Sequence, residues 1–242
     1  ADILLLGDSF ASVLAALRWG RNVYARTAAF LSFQLVVNVT AVLTVAAGAL
    51  SAGASPLSPA EMLYVNLVAD SLGALALATD APDESVLDGP PPSPDDPILP
   101  PHLLKHVAGQ AAFQLAVLAA LVLGGGAAAI AAGDGLTGEA AANTVTFNAF
   151  VCMTLANQIN ARKVRDEANP LAGAGKNPLF LGVWACEAAV QAFIIAWGGP
   201  AFGTVPLGPA AWGACVGLGG LGLVVRRVLV AVGPGPVKAG AV

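Results

Sequence analysis

"YVNLVADSLGALALATDAPDES", residues 64–85, decides how this chain is read. Most of it has the apolar density of a membrane span, yet Asp70 stands inside the apolar run, four residues after Asn66. Residues four apart share one face of an α-helix. A charged side chain at mid-bilayer costs about 2.5–3.5 kcal/mol on insertion scales, so such residues turn to the bundle interior and mark function by default. Ser71 and Gly73 weaken the helix just beyond Asp70, and a locally opened helix would turn backbone carbonyls toward an ion.

Composition sets the frame. Of 242 residues 57% are apolar and 11% charged, whereas a soluble domain carries about 25% charged residues; with a mean hydropathy of +0.75 this is an integral membrane protein. No basic tract offers a nucleic-acid surface. Cys152, Cys186 and Cys215 lie in apolar segments with no CxxC pair and read as small buried thiols.

A hydrocarbon core of roughly 30 Å needs about 20 apolar helical residues. Six stretches qualify, near 29–50, 60–79, 104–126, 141–160, 179–198 and 209–231, separated by Gly, Pro and polar runs. Every Lys and Arg falls before the first span, just after the second connection, in the fourth connection, or at the end of the chain. The positive-inside rule then places both termini in the cytoplasm. The second connection carries eight prolines and six acids, so it is not helical throughout. Its composition favours a solvated linker over a loop that engages another domain.

The start reads as a broken domain. Ile3 to Leu6 is a short apolar run, Gly7-Asp8-Ser9 supplies turn chemistry, and Ser9 suits the N-cap of a helix running to Arg26 and into the first span. One strand is no sheet, so its partners are expected upstream and the chain is expected to be a C-terminal piece of something larger.

Asn38 in the first span and Glu187 in the fifth are the other intramembrane polar candidates, Glu187 with Gln191 four residues on. Asp70 with carboxamide oxygens makes a hard-oxygen site suited to Ca2+. From the residues alone, an ion site and a hydrogen-bond staple between helices both stay open for Asp70, and Glu187 reads as a protonated packing residue or one facing a wet crevice. Ca2+ takes six to eight oxygens, more than Asn66, Asp70 and Asn38 provide. His102 and His106 read as interfacial side chains, and the glycines of residues 213–222 as a close-packing face.

"FLSFQLVVNVTAV", "EMLYVNLVADSLGALALATDAPDESVL" and "FNAFVCMTLANQINARK" resemble the fifth, sixth and eighth membrane helices of P-type calcium-pumping ATPases of the plasma-membrane, autoinhibited class. The chain resembles the C-terminal third or so of such a pump. The resemblance implies an all-α polytopic membrane protein: residues 1–28 ending the phosphorylation domain and stalk, 29–232 forming membrane helices five to ten, and 233–242 a short cytoplasmic tail. It implies one Ca2+ site, with Asn66 and Asp70 as ligands, Asn38 supporting, and a fourth-helix Glu outside this chain. Ala41 and Thr154 stand where two-site pumps have acids. ATP, Mg2+ and the phosphorylated Asp would be held by upstream pump domains, so the parent would be the enzyme and this chain would carry no catalytic residue. Membrane lipid is the other implied partner, and any calmodulin contact would fall in an N-terminal region, as in plant-type relatives. The plasma membrane or an internal membrane such as vacuole or ER would be the site of action. The alternative class is a free-standing six-span channel subunit or non-catalytic pump partner.

Overall fold

The structure is a computed structural model that describes residues 9–52, 55–82, 87, 97–164, 167 and 169–232. The strand expected at Ile3 to Leu6, most of the proline-rich connection and the tail from residue 233 lie outside the described residues.

The described residues are helical, with no strand among them. Helix α1 runs unbroken over Phe10–Ala52, as the absence of any breaker predicts. Its 43 residues extend about 65 Å at 1.5 Å each, twice the hydrocarbon thickness. One half therefore projects from any bilayer the other half crosses. The second span is built from α2 (Pro59–Tyr64), a π-turn (Val65–Ala69) and α3 (Asp70–Ala78). Ser58 and Glu61 close a capping box at its start: the Ser58 hydroxyl accepts from the Glu61 N–H, and the Glu61 carboxylate accepts from the Ser58 N–H at 2.6 Å.

Helix α4 covers Pro101–Val122. The expected third span ran to residue 126, but the helix stops earlier, because Gly125 adopts φ 69° and the chain restarts as α5 (Gly126–Gly133). A left-handed residue cannot continue a right-handed helix, and glycine takes that conformation without a Cβ penalty. Helix α6 is Glu139–Ala161, α7 Pro178–Trp197, the short α8 Gly199–Phe202, and α9 Pro209–Val232. Asp134, just after α5, accepts from the N–H groups of Ala210 and Ala211 at 3.0 and 2.9 Å and so caps α9.

Among the described residues, five helical stretches are long and apolar enough to cross a membrane: Phe10–Leu50, Pro59–Ala78, Pro101–Val122, Pro178–Trp197 and Pro209–Val232. The remaining expected span, the fourth at 141–160, coincides with α6, which is long enough but more polar. Its neighbours cover it on nearly every side, burying Asn148, Thr154, Asn157, Gln158 and Asn160. A helix sheltered by protein needs no apolar face for lipid.

Helix α9 packs along α6 in the most extensive helix pair of the fold. Ala211, Cys215, Gly219, Gly222 and Arg226 form its buried stripe. A Cβ on Gly219 would lie 2.7 Å from the Cys152 carbonyl oxygen, so that glycine is what lets the two backbones approach. Gly213, Gly217 and Gly220 face open space, so the expected close-packing face narrows to Gly219 and, beside Gln110 and Phe113, Gly222. Cysteine burial is also only partly as expected. Cys215 is buried and Cys152 half-buried, but Cys186 is exposed on α7.

Cations gather at one end. Arg18, Arg26, Arg162, Lys163 and Lys176 line one cavity of about 720 Å³, and Arg226 reaches the same end by donating to the carbonyls of Asn160 and Lys163. His102 meets the Val164 carbonyl there at 3.1 Å, and His106 is buried. The proline-rich connection is not a free linker at its described edges. Arg18 donates to the Pro82 carbonyl at 3.0 Å and Tyr24 to the Pro97 carbonyl at 3.1 Å, which ties both edges to α1.

Candidate cation site

Asp70 sits where the π-turn gives way to α3, and its N–H bonds the Val65 carbonyl five residues back. The expected opening of the helix at Ser71 and Gly73 does not occur, for α3 is regular there. The irregularity lies one turn earlier and is a widened but closed turn, a form that recurs at functional sites. Gly73 serves packing instead: a Cβ there would fall 2.8 Å from the Phe33 ring of α1 and 3.3 Å from the Gln158 amide nitrogen.

Asp70 is 5% exposed. Its Oδ2 accepts from Gln34 Nε2 at 2.7 Å, the short distance of a charge-assisted bond. Its Oδ1 is buried without a protein donor, and so is Gln34 Oε1. Two orphaned oxygens, one on a carboxylate and one on its amide partner, are a donor set for a hard cation. Sequence reading missed Gln34. The available signal was its position: it lies four residues before Asn38, on the same face of α1.

Asn66 and Asn38 do not join this pair in the chain as it stands. Both lie on exposed surface, Asn66 within the π-turn and Asn38 one turn after Gln34. Around them Leu35, Val39, Val42, Leu63 and Leu67 are exposed as well, so an apolar face surrounds the two amides. Among the described residues no three His, Cys, Asp or Glu side chains gather into a metal-holding group.

Glu187 is 3% exposed on α7 and accepts from Gln158 Nε2 of α6 at 3.2 Å. One turn on, Gln191 donates to Asn148 at 3.1 Å. This is a hydrogen-bonded seam between α6 and α7, which fits the first of the two readings offered for Glu187, packing. Glu187→Gln keeps an oxygen for the Gln158 amide. It is expected to preserve more than about half of any transport by the parent protein, since a protonated acid and an amide offer the same neutral oxygen to a bond worth about 1 kcal/mol. A vesicle-uptake assay that shows near-complete loss would move Glu187 into the ion path.

Residues 54–231 match the family described as "Cation transporting ATPase, C-terminus". The chain belongs to this family. Its relatives include a rice protein, "Calcium-transporting ATPase 7, plasma membrane-type" (Oryza sativa subsp. japonica), 40% identical over 90% of this chain and 20% of the relative. "Plasma membrane calcium-transporting ATPase mca-1" of Caenorhabditis elegans is 36% identical over 96% of the chain and 19% of its own length. "Plasma membrane calcium-transporting ATPase 3" of Homo sapiens is 37% identical over 96% and 19%. The chain thus spans about one fifth of these relatives, less than the third expected from the resemblance.

Proposed function

We propose that the chain is the C-terminal membrane part of an ATP-driven Ca2+ export pump and contributes Asp70, with Asn66, to one intramembrane Ca2+ site. The observation that carries this reading is the Asp70 carboxylate, buried in a span with one oxygen held by Gln34 and the other unpartnered. Calcium-transporting relatives that align over nearly the whole chain support the choice of ion.

On this reading, the exposed apolar face around Asn38 and Asn66 is covered by membrane helices from another segment of the parent protein. Those helices supply the remaining oxygens, and Asn38 supports from α1. Helix α6 is the fourth of six crossings, shielded from lipid by its neighbours. The cation-rich end faces the cytoplasm, and the projecting half of α1 is the stalk. ATP and Mg2+ act at upstream domains, and no residue here is assigned to them. The plasma membrane is the site of action.

The test is ATP-driven Ca2+ uptake into vesicles by the full-length protein carrying this segment, with and without Asp70→Asn. A second variant probes the partner. Gln34→Leu removes a hydrogen bond to a charged group, worth about 1.5–3 kcal/mol, so half-saturating Ca2+ is expected to rise about tenfold or more with maximal uptake retained. Unchanged Ca2+ dependence would show that Gln34 does not orient the carboxylate.

A further inference from the structure

We propose that Asp80 is a positioning residue, the joint that ties the projecting half of α1 to the ion-binding end of the second span; this rests on the pump reading above. Asp70 opens α3 and Asp80 follows its last turn, so the two acids sit at opposite ends of one short helix.

Both Asp80 carboxylate oxygens are fully engaged. Oδ2 accepts from Arg26 Nη1 of α1 at 3.1 Å and from Arg162 Nε at 3.0 Å. Oδ1 accepts from Arg162 Nη2 at 3.0 Å and from Asn177 Nδ2 at 2.7 Å. Asn22 of α1 adds a bond to the Asp80 carbonyl at 3.0 Å. One carboxylate therefore joins α1, the end of α3, the end of α6 and the start of α7.

The partners differ in rigidity. Arg162 is buried, grips Asp80 with a two-pronged fork and lies 4.4 Å over the Phe180 ring. Asn177 is pinned too, since its own oxygen caps α7 by accepting from the Phe180 N–H at 3.0 Å. Arg162 and Asn177 thus form a fixed seat on α6 and α7. Arg26 and Asn22 come from a helix that continues beyond the bundle.

A shift of α1 therefore either carries Asp80 along or pulls Arg26 off the carboxylate, stranding the part-buried Arg26 charge while Asp80 stays with the Arg162 fork and Asn177. Because α3 is a single regular helix, a displacement at Asp80 reaches Asp70 as a rigid-body movement. The joint thereby links the stalk to the geometry of the carboxylate without touching the ion.

The test uses the full-length protein carrying this segment, in vesicles, and reads Ca2+ moved per ATP hydrolysed beside the Ca2+ dependence of phosphorylation. Asp80→Asn is expected to lower the transport ratio about threefold or more while half-saturating Ca2+ stays within about twofold, and Asp80→Glu to recover most of the ratio. A role in folding alone would reduce the amount of protein and leave the ratio unchanged, and that result overturns the proposal. So does a fall in Ca2+ affinity at unchanged ratio. If the Asn variant fails to reach the membrane, Arg26→Ala, which spares the Arg162 fork and the Asn177 bond, must lower the ratio about twofold by itself, and an unchanged ratio is decisive against the joint. An unaltered protein with no ATP-driven uptake removes the pump reading and this inference together, whereas normal uptake with normal ratios in the variants removes this inference only.

Discussion

On the proposed reading, Asp70→Asn is expected to abolish ATP-driven Ca2+ uptake by the full-length protein while the protein still folds. Asn keeps the volume and shape of Asp, and its side-chain oxygen still accepts from Gln34 Nε2, now 2.7 Å from the carboxylate. What disappears is the negative charge. A cation entering a low-dielectric span sheds water, and an opposing charge is the main compensation for that loss. Removing one partner of a buried charge pair costs about 3–5 kcal/mol, which corresponds to a fall in affinity of roughly a hundredfold to several thousandfold. Uptake at ordinary Ca2+ should therefore drop to background, with the thermal unfolding of the purified variant matching that of the parent. Retained uptake at more than about a tenth of the parent rate would take Asp70 out of the ion path.

Gly219→Val removes most of the folded protein, while Gly220→Val next to it is tolerated. The two glycines are adjacent in sequence and opposite in surroundings. A Cβ at Gly219 meets the Cys152 carbonyl oxygen at 2.7 Å and the carbonyl carbon at 3.0 Å, whereas nothing stands within 4 Å of one at Gly220. Backbone cannot rotate out of the way as a side chain can. The α6–α9 pair must separate, and the bonds from Gln110 and Asn160 to the Gly222 carbonyl, 2.9 and 3.0 Å long, separate with it. Overpacking costs about 1–3 kcal/mol, and obstruction by backbone with two buried bonds at stake places this case at or beyond the upper end. Thermal unfolding in detergent should show a clear loss of stability for Gly219→Val and little change for Gly220→Val. Equal behaviour of the two variants would contradict the helix packing described here.

The helical stretches were legible because apolar length and cation placement are local properties, and five of the six expected spans meet the same criteria in the structure. The third ended early because the conformation of Gly125, rather than apolar density, stops a helix. Asp70 was legible as an anomaly of burial: a carboxylate in an apolar run has few physical explanations. Its partner was not, since Gln34 lies far away in the chain and a lone Gln on a long helix carries no distinguishing pattern. The four-residue spacing suggested that Asn66 and Asp70 act as equals, yet the first is exposed and the second buried. Helical periodicity places residues on a face, but the neighbours decide which part of that face is covered.

By itself, the sequence determined that the chain lives in a membrane, where its long apolar helices run and that Asp70 must be accounted for, since each follows from the solvation cost of single segments. Only the tertiary structure decided that Gln34 holds that carboxylate, that Gly219 and not Gly220 admits a neighbour, and that Arg26, Arg162 and Asn177 converge on Asp80. These are meetings between distant stretches of chain, and the strength of each depends on a distance that no local pattern encodes.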